Sequence, residues 1–408
     1  EYVRNDATVT ITVEARADAA TISANLPGGG VDEDTAMPLN LSIGVTDAGE
    51  TVAAVVVQSL PDGFVLTDGT TDTTGHYVAV GTATADGWDV TGLDYGSLMV
   101  VPRENYSGTV SVTVSVTTAD GADTQTNSQS IGLTFNAITD QATVATVDGV
   151  GTEDGAVTLD LTALKVDTDG SEIMSVTISG LPDGGMLSAG VNNGDGSWTL
   201  SSGQLTGVQF LPPENLSGSV TLTLTATTME KATGAIASTS QTFDVALTPV
   251  ADTPDLDVTV LSVSTAEDSA VALSLSAALF DSSESLTVVF TNVPGGGSFS
   301  KGAAGAVAGT WEIQVSSPAD LADLTFTPPA NADTGSGAYD LTVTAQATES
   351  DGSSASSGSE HIAVTVSSVL DAAALSIADI TVAEAEGHVA QEIALDITPH
   401  LIDSDGSE

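Results

Sequence analysis

Cysteine is absent from the 408 residues, Lys and Arg together number only 6, aromatic residues make up 4%, and the longest apolar run, Val52 to Val57, is six residues. Each scarcity excludes something. Without cysteine there is no disulfide framework, no thiolate zinc site and no Cys nucleophile. Six cations against 55 Asp and Glu give a formal charge of −49, which repels the phosphate backbones that nucleic-acid binders neutralise with Lys and Arg; anionic lipid surfaces are repelled in the same way. No apolar run approaches the roughly 18 residues that cross a bilayer. Nucleic-acid partners and direct membrane insertion are therefore not expected.

Catalytic signatures are missing as well. There is no Gly-x-Ser-x-Gly, no His-Glu-x-x-His, no complete Gly-x-Gly-x-x-Gly and no phosphate-binding Gly-Lys-Ser/Thr, and a hydrolase needs a positioned nucleophile and base. His76, His361, His388 and His400 occupy neither matching positions nor metal-ligand spacing. No catalytic residue is expected. What the chain does have is 41% apolar residues, enough for several cores, and a length that predicts about three domains at roughly 100 to 200 residues each.

An internal repeat organises the rest. The tetrad Glu33-Asp34-Thr35-Ala36 recurs as Glu153-Asp154-Gly155-Ala156 and Glu267-Asp268-Ser269-Ala270, 120 and then 114 residues on, with a degenerate Ala383-Glu384-Ala385-Glu386. In the three clear copies an Asp follows the Glu by 14 residues, at Asp47, Asp167 and Asp281, and the partial fourth copy has Asp403. Next come Leu60-Pro61-Asp62-Gly63, Leu181-Pro182-Asp183-Gly184 and Val293-Pro294-Gly295-Gly296, with Pro and Gly where tight turns need them. One Trp per copy follows, at Trp88, Trp198 and Trp311, entering a strand from a hairpin turn. A Trp in that place serves as a core plug or as a platform for a sugar ring.

Beyond a Pro-containing boundary, each copy alternates strictly: Val110, Val112, Val114, Val116; Val220, Leu222, Leu224; Leu341, Val343, Ala345. Period two means strands with one buried face. Closing strands are expected at Ile131 to Phe135, Phe243 to Leu247 and Ile362 to Val366, and Val9-Thr10-Ile11-Thr12-Val13 matches them. No segment shows sustained helical periodicity. Short strands punctuated by Gly, Asp and Pro over about 115 residues predict an all-β chain of tandem antiparallel sandwiches, each of roughly seven strands, arranged as an extended rod. The expected division is 1–17, the closing strand of a preceding repeat; 18–139, 140–251 and 252–370, three repeats; and 371–408, the start of a fourth. Both ends thus fall inside repeats, as in an internal fragment. The segment from Asp68 to Thr84 lengthens the first copy, as a repeat-specific contact or an ordinary longer hairpin.

An Asp sits in the linker ahead of each tetrad: Asp18, Asp140, Asp252 with Asp255, and Asp371. A second acidic group follows the first strand, as Asp167-Thr168-Asp169-Gly170-Ser171-Glu172 and Asp403-Ser404-Asp405-Gly406-Ser407-Glu408, shortened to Asp47-Ala48-Gly49-Glu50 and Asp281-Ser282-Ser283-Glu284. If these groups meet at one end of a sandwich, so few cations cannot offset them, and an external divalent ion is the natural partner. Calcium accepts six to eight oxygens in flexible geometry. Against that stands the fact that Asp-x-Asp-Gly is also a polar turn for backbone reasons alone.

The strings Glu-Asp-x-Ala, Asp-Thr-Asp-Gly-Ser-Glu, Val176-Thr-Ile-Ser-Gly-Leu-Pro-Asp-Gly, Gly194-Asp-Gly-Ser-Trp-Thr-Leu and Leu211-Pro-Pro-Glu-Asn-Leu-Ser-Gly resemble the tandem cadherin-like, immunoglobulin-like extender repeats of giant bacterial repeats-in-toxin adhesins. The resemblance covers essentially the whole chain and is best in the second repeat. It implies type I secretion, display on a bacterial cell surface and calcium-stiffened joints. It also implies a spacer role in adhesion and biofilm formation, with any glycan or abiotic surface bound through other domains. By match to interdomain positions it assigns calcium to the linker acids Asp18, Asp140, Asp252, Asp255 and Asp371, and to Glu33, Asp34, Glu153, Asp154, Glu267, Asp268 and Glu384 of the tetrads. The post-strand acids complete the set: Asp47, Glu50, Asp167, Asp169, Glu172, Asp281, Glu284, Asp403 and Asp405. The Gly-Gly-x-Gly-x-Asp nonapeptides of the secretion signal are not in this sequence. The alternative to a spacer is a segment that binds a glycan or surface itself.

Overall fold

The computed structural model describes residues 4, 7–335, 337–370, 374–382 and 392–400. Contacts group the chain into two units. One comprises Glu1–Gly149, Thr158–Phe210 and Val220–Val245, the other Val150–Val157, Leu211–Ser219 and Ala246–Glu408. Both are all-β, with two single-turn 3-10 helices at Ser202–Gln204 and Pro318–Asp320. No helix among the described residues is long and apolar enough to cross a membrane.

The first unit opens with eleven strands: β1 Thr21–Ala24, β2 Val31–Asp32, β3 Met37–Pro38, β4 Leu41–Gly44, β5 Thr51–Gln58, β6 Val65–Thr67, β7 Thr82–Thr84, β8 Gly87–Asp89, β9 Met99–Val101, β10 Gly108–Asp120 and β11 Asp123–Asn136. One sheet runs β2-β11-β10-β5-β8-β7 and another β3-β9-β6, with β1 paired to β4. Pairing is antiparallel except that β2 runs parallel to β11, Val31 opposite Phe135. The period-two pattern decides which face is buried. Val112, Val114 and Val116 of β10 and Val55 and Val57 of β5 meet Met37, Leu66 and Val100 of the opposing sheet in one core, all of them 1% exposed or less. This is an immunoglobulin-like sandwich.

The same plan recurs in the first unit, where Glu172–Ser179 pairs with Gly218–Glu230 in the register Glu172 to Glu230 and with Ser197–Leu200, Ile178 opposite Trp198. The second unit holds a further sandwich. Ser262–Ala266 runs parallel to Glu360–Ser367, followed across the sheet by Tyr339–Thr348, Ser285–Thr291, Trp311–Val315 and Ala303–Ala304. Its partner sheet is Val271–Ala272, Thr325–Thr327 and Ser298–Phe299. Phe299 sits at the centre of this core, its ring 4.4 Å from Phe290 and 5.1 Å from Phe326.

The three Trp residues lie on strands and are half-buried. Trp88 and Trp311 pack against their sandwich cores, and the Trp311 indole donates to Lys301 O at 2.8 Å. Gly87 is required just ahead of Trp88. Its φ is +138°, and an added Cβ would lie 2.3 Å from Val57 O. The Asp68–Thr84 segment folds on itself: Thr71 bridges Tyr77, and Asp72 Oδ1 accepts from Thr74 N and Oγ1 and from His76 N. Residues 7–13 differ from expectation. Although they alternate, they form no strand, and Val9, Ile11 and Val13 are 80 to 87% exposed; alternation makes a strand only where a neighbouring strand supplies the ladder and the apolar cover.

Truncating Phe326, which is fully buried, leaves a cavity against Phe299. Phe326→Ala is expected to destabilise the second unit by about 3–5 kcal/mol in a denaturant titration and to leave the first unit's transition unchanged.

Candidate metal centres

In the three clear tetrads the Glu amide bonds the end of its sandwich's closing strand: Glu33 N to Asn136 O, Glu153 N to Thr248 O and Glu267 N to Ser367 O, at 2.9 to 3.0 Å. The Asp that follows turns the chain through the left-handed region, with φ of 60°, 58° and 56° at Asp34, Asp154 and Asp268, a conformation that Asp and Asn tolerate better than most residues. Its Oδ1 accepts the backbone N of Asn105, Asn215 or Asn331 at 2.7, 2.7 and 3.1 Å. With the chain turned there, the Glu side chains are 1, 3 and 5% exposed. Each spends Oε1 on the backbone leaving its own sandwich, accepting from Ile138 N at 2.6 Å, Val250 N at 2.5 Å and Val369 N. The second oxygen of all three, Oε2, is buried without a hydrogen-bond partner.

A matching clamp holds the start of the next sandwich. Asp18 N donates to Glu50 Oε1, Asp140 N to Glu172 Oε1 and Asp252 N to Glu284 Oε1, the last two at 2.7 Å. Glu172 and Glu284 again leave Oε2 buried and unpartnered. Glu50 does not, because Thr46 N and Asp47 N donate to its Oε2 at 3.0 and 3.2 Å.

Two groups of carboxylates converge. One oxygen each of Glu33, Asp167 and Asp169 lie within 4.8 Å of one another, and so do oxygens of Glu153, Asp281 and Glu349. The first group joins the opening sandwich to the loop 167–172, whose Asp167 accepts from Asp169 N at 2.8 Å and Ser171 Oγ at 2.6 Å. Asp169 reaches back to the opening sandwich, accepting from Ser107 N and Oγ at 3.1 and 2.7 Å. In the second group Ser283 N and Oγ donate to Asp281, and Ser283 Oγ also reaches Glu349 at 3.3 Å. Among the described residues no Lys or Arg lies within ion-pair distance of a carboxylate.

Buried like charges should resist ionisation. Burial pushes Glu33 up to about 7, against the pull of the Ile138 amide and with Asp167, Asp169 and Asp140 adding repulsion. Burial also raises Asp140, Glu153, Glu172 and Glu284, each with neighbouring carboxylates contributing. Asp169 moves the other way. Burial opposes its charge, but hydrogen bonds from Ser107 and Ser171 outweigh that and hold it well below the usual range. Donor sets made wholly of oxygen, anionic and partly unsatisfied match the ligand chemistry of a hard divalent cation such as calcium. An orphaned buried oxygen on Glu33 and on Glu153 is the observation that tests the fit, and the residues pass.

The structure thus brings together Glu33, Asp167 and Asp169, and Glu153 with Asp281. Asp140 and Glu172 stand close enough to act electrostatically on the first group, and Asp252 and Glu284 flank the second. Others of the sequence-derived set do different work. Asp34, Asp154 and Asp268 are exposed turn residues, of which Asp34 repels Asp140 and Asp154 repels Glu153; Asp255 is exposed on a strand, and Asp18 and Asp47 are exposed backbone donors to Glu50. Glu267 keeps the clamp, whereas Asp371, Glu384, Asp403 and Asp405 lie outside the described residues. Sequence reasoning missed Glu230 and Glu349, 1 and 4% exposed. Counting by twos from Leu222 and Leu341 along the buried face reaches them, but the apolar pattern stops earlier.

No family model matches the chain, and no curated protein matches it. Among solved structures, it is similar to the extracellular cadherin domains 3–6 of protocadherin gamma B2, at 12% identity and a TM-score of 0.32, over 87% of this chain and 79% of that one. It is similar to Drosophila N-cadherin EC1-4 at 11% identity and a TM-score of 0.28, over 87% and 76%. Immunoglobulin domains 1–5 of Sidekick-1 follow at 11% identity and a TM-score of 0.27, over 88% and 60%. Likeness at this level says nothing of what the chain does.

Because Glu33 binds its proton more tightly folded than unfolded, the stability it contributes is complete below about 4.5 and lost as pH rises through about 7, and Asp140, Glu153, Glu172 and Glu284 act in the same direction. In chelator, the melting temperature is expected to be higher near pH 5 than near pH 8. Millimolar calcium, which favours the ionised form, should remove that difference. A melting temperature independent of pH in chelator would contradict the buried, unpaired state of these groups.

Proposed function

We propose that the chain is a non-catalytic, calcium-locked extender segment of a large secreted bacterial adhesin of the repeats-in-toxin kind, exported by a type I system. It holds a distal adhesive module away from the cell surface in adhesion and biofilm formation. Its sandwiches, with boundaries near 18–139, 140–251 and 252–370, serve as spacers, and the glycan or abiotic surface is bound by other domains of the longer protein. The observation that carries this is the buried Glu33 of one sandwich, one oxygen unpartnered, set within 4.8 Å of Asp167 and Asp169 from the next. A cation there ties two sandwiches together and relieves the repulsion that assembles with them. The strings of Asp, Gly and Glu quoted above support the bacterial adhesin assignment. Packing of Trp88 and Trp311 onto the sandwich cores supports a core role for these two residues over sugar stacking.

An ion that binds only the ordered joint stabilises it by RT ln(1 + [L]/Kd), about 2.7 kcal/mol at 100-fold excess over Kd. Limited proteolysis of the fragment in calcium and in chelator tests this directly. Cleavage within 137–141 and 249–253 is expected only in chelator, and Glu33→Gln should restore cutting in the first linker despite calcium. Linkers equally resistant in both conditions would leave the sandwiches and remove the calcium lock.

A further inference from the structure

The two carboxylate groups are not equivalent, and the difference lies in the chain's few cations. Two of its three lysines border the loop 167–172. Lys231 Nζ donates to Gly170 O at 2.5 Å, and Lys165 Nζ donates to Glu172 O at 3.1 Å. Each lysine bonds a backbone carbonyl of that loop, and among the described residues neither pairs with a carboxylate. The third lysine, Lys301, is committed to Ala319 O and Ala322 O. Around the other group, the residues at the corresponding places, two before Asp281 and one after Glu349, are Leu279 and Ser350.

The ligands differ in the same sense. Glu153, Asp281 and Glu349 are all buried, whereas Asp169 is exposed. Hydrogen bonding does not separate them: Asp169 has both oxygens engaged, by Ser171 N and by Ser107 N and Oγ, but so do Asp281, by Ser283 N and Oγ, and Glu349, by Ser283 Oγ and Ser350 N. A cation arriving at the first group meets an exposed ligand on a loop whose carbonyls hold two ammonium groups. At the second it meets an enclosed set with no ammonium beside it. Glu33 and Glu153, 1 and 3% exposed, each point an unpartnered oxygen at their group.

We propose that the two joints take divalent cations in order: the Glu153, Asp281 and Glu349 site is the tight one and fills first, while the Glu33, Asp167 and Asp169 site is weakened by Lys165 and Lys231 and fills only at higher ion concentration. This rests on the calcium reading above and gives it a graded form. Over a range of ion concentrations the chain holds one joint locked and the other loose. A protein with identical joints would lock both at once.

The test is calorimetric titration of the whole fragment with calcium chloride, at low ionic strength and in a calcium-free buffer. Two classes of binding are expected, on the order of ten-fold apart in Kd, or about 1.4 kcal/mol. Glu349→Gln should abolish the tighter class and leave the weaker, and Asp169→Asn should do the reverse. Lys231→Gln, a change on an exposed side chain, should tighten the weaker class several-fold without moving the tighter one. A single class in the unaltered fragment, loss of the tighter class in Asp169→Asn, or no response to Lys231→Gln would overturn the ordering while leaving calcium binding intact. Absence of any binding would overturn the calcium reading itself, and the ordering with it.

Discussion

A glutamate buried at 1% exposure with one oxygen bonded to a backbone amide and the other bonded to nothing is an expensive object. Among the described residues it recurs at the three clear tetrads and again at Glu172, Glu230 and Glu284. Burying a carboxylate without compensation costs several kcal/mol, and the usual remedy, a Lys or Arg partner, is barely present among 6 such residues. Every other feature of the joints arranges itself around that constraint. The first oxygen of Glu33 fixes the chain leaving one sandwich, and the first oxygen of Glu172 fixes the chain entering the next. The linker between Ile138 and Asp140 is therefore held at both ends by groups whose second oxygens still need a positive charge or a proton. Linker order and the electrostatics of the joint are one problem.

The sandwich supplies the precision. A short parallel strand pairing ends on the Glu, a left-handed Asp turns the chain immediately after it, and an Asn on the facing loop receives that Asp. The same Asn side chain then reaches forward, from Asn105 to Val166 O and from Asn215 to Phe280 O, both at 3.0 Å. The long antiparallel strand contributes from the other side. Its buried face runs through apolar residues and ends on an acid, Glu230 or Glu349, one position past the point where the core closes. Apolar packing thus sets where the charges sit, and the charges decide what the ends of the sandwich can bind.

Within each clear tetrad the turn and the inward-facing carboxylate belong to neighbouring residues. Asp34 and Asp154 serve the turn, while Glu33 and Glu153, one position earlier, face inward. Asp167 does both, accepting turn hydrogen bonds and joining the first carboxylate group. Recurrence alone could not divide these roles, since Glu and Asp of each tetrad recur equally. The shortened loops show the same limit. Asp47-Ala-Gly-Glu50 and Asp281-Ser-Ser-Glu284 look alike as strings, yet Glu50 satisfies both its oxygens locally whereas Glu284 does not.

From the sequence came the all-β class, the strands and the spacing of the acids, because period-two alternation and Pro, Gly and Asp turns are local properties that burial on one face reads directly. The alternation of Val9, Ile11 and Val13 marks the boundary of that logic: without a neighbouring strand the same pattern stays exposed and unpaired. Only the tertiary structure decided which carboxylates share a space, why Glu349 belongs with Glu153 almost 200 residues earlier, and why two lysines bond the loop 167–172. Distances between charges are set by packing elements far apart in the chain, and no local pattern of residue types encodes them.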